Sequence, residues 1–329
     1  MTAPPGGCSH RATVDLSVVV EMDNARTVGL TAARRQLAAL AAQAAALPLR
    51  AELLVVHDPA DISTADVERT LGEAGVRAVA PGLEVTVLTV PDARYYALKN
   101  AGSRAARGAI VLQTDADVVI EPDFLAAVVR AFERPEVQVV TGNTYIHPCE
   151  TVLDRAVALF WHFPLRSEEI TASAGTIINA NSVAARRELF LRFPFRVDRR
   201  LRGACQDFGA DLREAGYVTW QDPTIRCGHP KPGGWLGMAR RALWQGHDRC
   251  WERRWRHEPM VGPVRAARGL RLSLAGAMER VSRDAVRVRA RPAEVPVIAA
   301  AAVGYELLVR AGYLVTRIAP DAIPMVFKD

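Results

Sequence analysis

Two aspartates one residue apart, Asp115 and Asp117, close the run "AIVLQTDAD" at residues 109–117. Alternating carboxylates in a turn can share one divalent cation, because Mg2+ and Mn2+ are hard ions that favour oxygen donors. A cation held this way keeps positions open for phosphate oxygens. Alone, a D-x-D is weak, since a solvated turn has the same composition. Its setting strengthens it. The residues before it form an apolar run, and "EPDFL" follows with a proline placed to open a helix. Asp58 ends a second apolar run, "AELLVVHD".

The elements that must position these acids alternate. "DLSVVVEM" (15–22), "AELLVVHD" (51–58), "LEVTVLTV" (83–90) and "AIVLQTDAD" (109–117) are short apolar runs of the kind that form buried parallel strands. Between them lie helix-like segments at 30–48, 63–75 and 95–108, and a fourth follows at 122–134. Ser63 or Thr64 is the expected N-cap of the second. Strand and helix in alternation predict an α/β, doubly wound, mostly parallel sheet, which binds ligands at the carboxyl ends of its strands. Asp58, Asp115 and Asp117 fall at such ends. The second half is less regular. It offers a strand over 135–146, a helix over 151–163, a strand–turn–helix over 175–193 and a helix over 205–217.

Composition sets the outer bounds. The chain of 329 residues is half hydrophobic, so a sizeable core is expected. A net charge of +6 suits an anionic ligand or an anionic surface without choosing between them. Five scattered cysteines with no CxxC pair argue against a disulfide framework or a zinc site and fit a reducing cytoplasm. Residues 1–13 read as a disordered lead without the layout of a signal peptide.

"ARGAIVLQTDADVVIEPDFL" resembles the central motif of family 2 glycosyltransferases, which have the GT-A fold. Other pieces match in order: "LSVVVEMDN", "AELLVVHDPADIS", "ALKNAGSRAARG", "CQDFGADLREAGY" and "CGHP", together covering about residues 14–250. There are departures. "VEMDN" stands where Pro-x-Tyr-Asn is usual, His57 takes the first place of a double Asp, Lys99 stands where arginine is common, and Gln206 replaces a Glu.

The resemblance implies an inverting transfer from a nucleotide diphosphate sugar to an acceptor hydroxyl, with Mn2+ or Mg2+ as cofactor. It makes Asp117 the metal ligand, with His229 a further one. Asp115 would face the ribose or a metal-bound water, and Asp58 would accept from the N–H of the base. Arg94 and Lys99 would balance the diphosphate charge, or simply lie on a solvated helix face. Asn100 would contact the nucleotide or cap a turn. Asp207 would be the general base. Asp211, one helical turn on, is its rival, and could instead hold its helix or touch the acceptor. Residues 14–145 would then hold the donor and 146–258 the acceptor, a glycan, lipid or natural product. A helical extension, basic and then apolar, would follow over 259–329.

In "WLGMARRALWQGHDRCWERRWRH", Trp244, Trp251 and Trp255 share one helical stripe among arginines. Such a helix can pack as core, close over a site so that Trp244 meets the acceptor, or lie on an anionic bilayer. "VPVIAAAAVGYELLVRAGYLVTRIAP" (295–320) approaches a membrane span in length but carries Glu306 and Arg310, four apart and able to pair. Peripheral contact at the inner face of a membrane is the corresponding expectation. No G-x-G-x-x-G follows the first strand and no P-loop occurs, which argues against a dehydrogenase or a P-loop NTPase. A nucleotidyltransferase would need a Gly-rich basic loop after the first strand, also missing. A nucleic-acid binder could use the basic late third but has few stacking aromatics, so no nucleic acid is expected.

Overall fold

The computed structural model describes residues 14–197, 203–255 and 263–326. Among them nine strands form one sheet: β1 (Leu16–Glu21), β2 (Ala51–His57), β3 (Glu84–Thr89), β4 (Ile110–Asp115), β5 (Val119–Ile120), β6 (Val139–Ile146), β7 (Ser173–Ala174), β8 (Ser182–Arg186) and β9 (Thr219–His229). The order is β3-β2-β1-β4-β8-β6-β9-β5, with β7 paired to β9. The helices are α1 (Ala25–Val28), α2 (Leu30–Ala45), α3 (Thr64–Glu73), α4 (Val76–Val79), α5 (Tyr95–Ala105), α6 (Phe124–Ala131) and α7 (Val152–Phe160). They continue with α8 (Arg187–Arg192), α9 (Ala204–Glu214), α10 (Trp235–Trp255), α11 (Pro263–Asp284), α12 (Val295–Ile318) and α13 (Ala322–Val326).

The first four strands run parallel, as their continuous apolar character requires. Every residue of β1 and β4 is buried. The register sets Glu21 opposite Asp115, so two carboxylates meet at the carboxyl edge. Ser63 caps α3, accepting from the Asp66 N–H at 3.1 Å. Helix α5 lies close on the sheet because residue 102 is glycine. A Cβ there would fall 2.2 Å from Val19 Cγ1. That close approach sets the depth of Tyr95 and Lys99, both on α5.

The second half departs from simple alternation. β8 is inserted antiparallel between β4 and β6. The expected strand–turn–helix over 175–193 begins only at Ser182, and α8 follows β8 directly. Helix α11 lies in the basic part of the helical extension expected over 259–329.

Helices α10 and α12 cross in close contact. A Cβ on Gly246 would lie 2.0 Å from the Val309 carbonyl oxygen, and one on Gly312 2.1 Å from that of Leu243. The inner stripe of α12 (Ile298, Ala302, Tyr305, Val309, Gly312, Thr316) is buried. Glu306 and Arg310 approach to 3.9 Å, as their spacing implies. Helix α12 is long and apolar enough to cross a membrane, yet one side of it packs on α10, α11 and α7.

Candidate functional site

A cavity of about 780 Å3 lies beside the carboxyl ends of β4 and β9, walled on its far side by α10. Asp115 ends β4, Asp117 follows in the turn before β5, and His229 ends β9. One ligand atom from each lies within 4.8 Å of the others. Residues more than a hundred positions apart thus converge because β9 carries His229 back to the sheet edge where β4 stops. Both carboxylates are buried, Asp115 at 1% exposure and Asp117 at 6%. The His229 Nδ1–H donates to the Pro230 carbonyl at 2.6 Å, so in the neutral ring Nε2 carries the lone pair. Two hard oxygen donors and an imidazole suit Mn2+ or Mg2+.

The two aspartates are not equivalent. Asp115 accepts from Lys99 Nζ at 2.7 Å, from the Tyr95 hydroxyl at 2.9 Å and from Asn24 Nδ2 at 3.2 Å. Much of its hydrogen-bonding capacity is thereby occupied by protein groups. Burial, and after it the Asp115 charge, push the Tyr95 phenol well up, so Tyr95 remains a proton donor. Glu21, beneath the pair, went unnoticed in the sequence. Burial first and Asp115 second raise its carboxyl well above the usual range, against the pull of Lys99.

Several expected residues stand elsewhere. Lys99 is fully buried, so it is not on a solvated face, and its ammonium is held by Asp115 and the Thr114 carbonyl rather than offered to a diphosphate. Arg94 pairs with Asp61 at 3.0 Å outside the cavity wall. Asn100 neither caps a turn nor faces the cavity: its amide donates to the Phe195 carbonyl and accepts from the Phe195 N–H. Asp58 is buried at the end of β2, accepts from the Ala60 N–H at 2.9 Å, and does not line the cavity. Asp211 pairs with Arg196 at 3.0 Å, also away from the wall.

Asp207 sits fully buried in the first turn of α9, where the helix dipole favours a carboxylate. Its neighbours Gly203, Cys205 and Gln206 line the cavity. Trp244 lines it as expected; the Trp255 side chain is outside the described residues.

The missed residues come mostly from α10 and the turn before it. Lys231, Arg240, Arg241 and Arg249 give the wall positive charge, and Asp248 and Glu252 add two acids. Lys231 is anchored to Asp154 at 2.5 Å. Their signal in the sequence was the basic bias itself, which did not reveal which face would turn inward. His162 is exposed at the cavity wall, with Trp161 and Phe163 against its ring. Desolvation first, then the charges of Arg241 and His229, lower its pKa well below the usual value.

The model of glycosyl transferase family 2 matches residues 24–191, just over half of the chain. No curated protein matches. Among solved structures, the chain is similar to the mannosyltransferase PcManGT from Pyrobaculum calidifontis, determined with GDP-Man and Mn2+. That likeness has a TM-score of 0.58 at 17% identity over 94% of this chain and 88% of that one. It also matches residues 1–349 of S. aureus TarS, with a TM-score of 0.47 at 15% identity over 93% of this chain and 92% of that one. The 17% likeness speaks for the fold, and the family match speaks for the class of enzyme. The chain belongs to glycosyl transferase family 2 and is a glycosyltransferase of the GT-A fold.

Proposed function

We propose that the protein is a metal-dependent, inverting glycosyltransferase that moves a sugar from a nucleotide diphosphate sugar to an acceptor hydroxyl. The observation that carries this is the convergence of the buried Asp115 and Asp117 and the half-buried His229 on a cavity large enough for such a donor. PcManGT, solved with GDP-Man and Mn2+, supports the pairing of a nucleotide sugar with a divalent cation. Asp117 and His229 hold the cation, Mn2+ or Mg2+. Asp115, oriented by Lys99 and Tyr95, serves the ribose side or a metal-bound water. When bound, the cation supplies positive charge to the diphosphate oxygens as the glycosidic bond breaks. The protein adds its own cations there. Lys231, Arg240 and Arg241 line the cavity and take the place expected of Arg94 and Lys99.

Inversion needs a base that takes the acceptor's proton as its oxygen attacks. Asp207 is assigned that role, because its helix N-terminus favours the ionised form. A second reading assigns it to Asp248, since that carboxylate lines the cavity directly. The donor is held by residues 14–145 and the acceptor by 146–258, with 259–329 as an extension. Free Cys149, Cys205, Cys227 and Cys250 support a reducing, cytoplasmic setting.

The test needs no acceptor. A panel of nucleotide sugars is incubated with the protein in Mn2+ or in EDTA, and released nucleoside diphosphate is measured. Release of one diphosphate is expected in Mn2+, falling by about a hundredfold or more in EDTA. Equal release in EDTA would sink the metal assignment.

A further inference from the structure

The side of α12 turned away from the protein is apolar along its whole length. Val297, Leu307, Leu314, Val315 and Ile318 are exposed, Ile318 at 84%. Pro296 and Ala300 are exposed with them. At 100° per residue these positions form one stripe opposite the buried Ile298–Thr316 stripe. From Val297 to Ile318 the stripe runs about 32 Å. No charged side chain interrupts it, because Glu306 and Arg310 lie on the flank. There they approach each other to 3.9 Å, and Arg310 also donates to Ser273 Oγ of α11 at 2.8 Å.

The flanks are basic. On α11, Arg268 and Arg271 are exposed beside Leu272, itself 64% exposed. On α12, Arg317 is exposed next to Ile318. Residues 259–329 hold eleven Arg/Lys and six Asp/Glu, which is five of the chain's six net positive charges. An apolar stripe bordered by arginines matches the depth profile of a bilayer surface, with acyl chains below and anionic headgroups above.

We propose that the outer face of α12, with the adjoining face of α11, docks on an anionic lipid bilayer, with α12 lying in the headgroup plane. Two alternatives fit less well. A second copy placed face to face would bring two arginine-bordered surfaces together, and like charges oppose that contact. A transmembrane span would need lipid on all sides, whereas the inner stripe is committed to α10. There Tyr305 donates to Gln245 at 2.5 Å, and His247 Nδ1 lies 3.0 Å from Thr316 Oγ1. Gln245 also lines the cavity, so the docking helix is one hydrogen bond from the site wall. The docking proposal stands independently of the donor and metal assignments.

Flotation of the full chain with phosphatidylcholine vesicles, with and without phosphatidylglycerol, tests it. The wild type is expected to float with the anionic vesicles, and high salt or alkaline carbonate to release it. Leu314→Asp/Ile318→Asp alters exposed positions only. It is expected to keep the wild-type melting temperature and to bind anionic vesicles at least about tenfold more weakly. Four results would overturn the proposal: no flotation of the wild type, equal flotation of the variant, retention in carbonate, or a wild-type dimer that the variant splits.

Discussion

Lys99→Met is expected to lower the unfolding free energy by about 3–5 kcal/mol and the melting temperature by roughly 10 °C. The side chain is completely buried, and its ammonium sits 2.7 Å from Asp115. Methionine fills a similar volume, so the cost is electrostatic more than steric. Removing the cation leaves Asp115 beside Glu21 and Asp117 with, among the described residues, Tyr95 and Asn24 as its side-chain donors. An uncompensated buried carboxylate is costly, whereas an intact buried pair contributes little net stability. A second reading comes from adding Mn2+. A divalent cation near Asp115 replaces part of the missing charge, so Mn2+ is expected to raise the variant's melting temperature more than the wild type's. Thermal and urea unfolding measure both effects. A loss under about 1 kcal/mol would show that Lys99 does not compensate that charge.

Asp207→Asn is expected to lower turnover by about a hundredfold to ten-thousandfold while leaving donor affinity within about twofold. Asparagine keeps the shape of the buried side chain but cannot accept the acceptor's proton. Asp207 is fully buried in the first turn of α9, next to Cys205 and Gln206, which line the cavity, so the role requires that turn to move and bring its carboxylate to the acceptor. Asp248→Asn is the companion variant. If Asp248→Asn collapses turnover and Asp207→Asn does not, the base is Asp248. Steady-state rates with the donor identified in the hydrolysis panel separate the two.

Much of the fold was legible because its first half is built from locally decisive signals. The runs "LSVVVE", "ELLVVH" and "IVLQTD" read as buried strands from their β-branched apolar character, and of the two caps offered, Ser63 and Thr64, the structure uses Ser63. β8 was not legible in position or direction, because an antiparallel insertion leaves no mark on a short apolar run. At the site, Asp115 and Asp117 were singled out by residue type and strand position and His229 by the resemblance, and the structure brings the three together. Lys99 was misplaced because a lysine on an amphipathic helix ordinarily faces water, and only the close approach at Gly102 shows that this one points under β4. Asn100 and Asp58 were drawn toward the ligand by the resemblance; the structure gives the Asn100 amide to the Phe195 backbone and one oxygen of Asp58 to the Ala60 N–H. The arginines of α10 were visible as a bias, but their inward face is fixed by Gly246 against α12, a contact between distant segments.

Isothermal titration of the wild type and Asp117→Asn with nucleoside diphosphates, with and without Mn2+, tests the metal site most directly. The wild type is expected to bind one diphosphate in Mn2+ and to lose about a hundredfold in affinity without it, roughly 2.7 kcal/mol. Asp117→Asn is expected to bind at the weaker level under both conditions. Equal affinity of the wild type with and without Mn2+, or a metal effect undiminished in Asp117→Asn, would contradict the assignment.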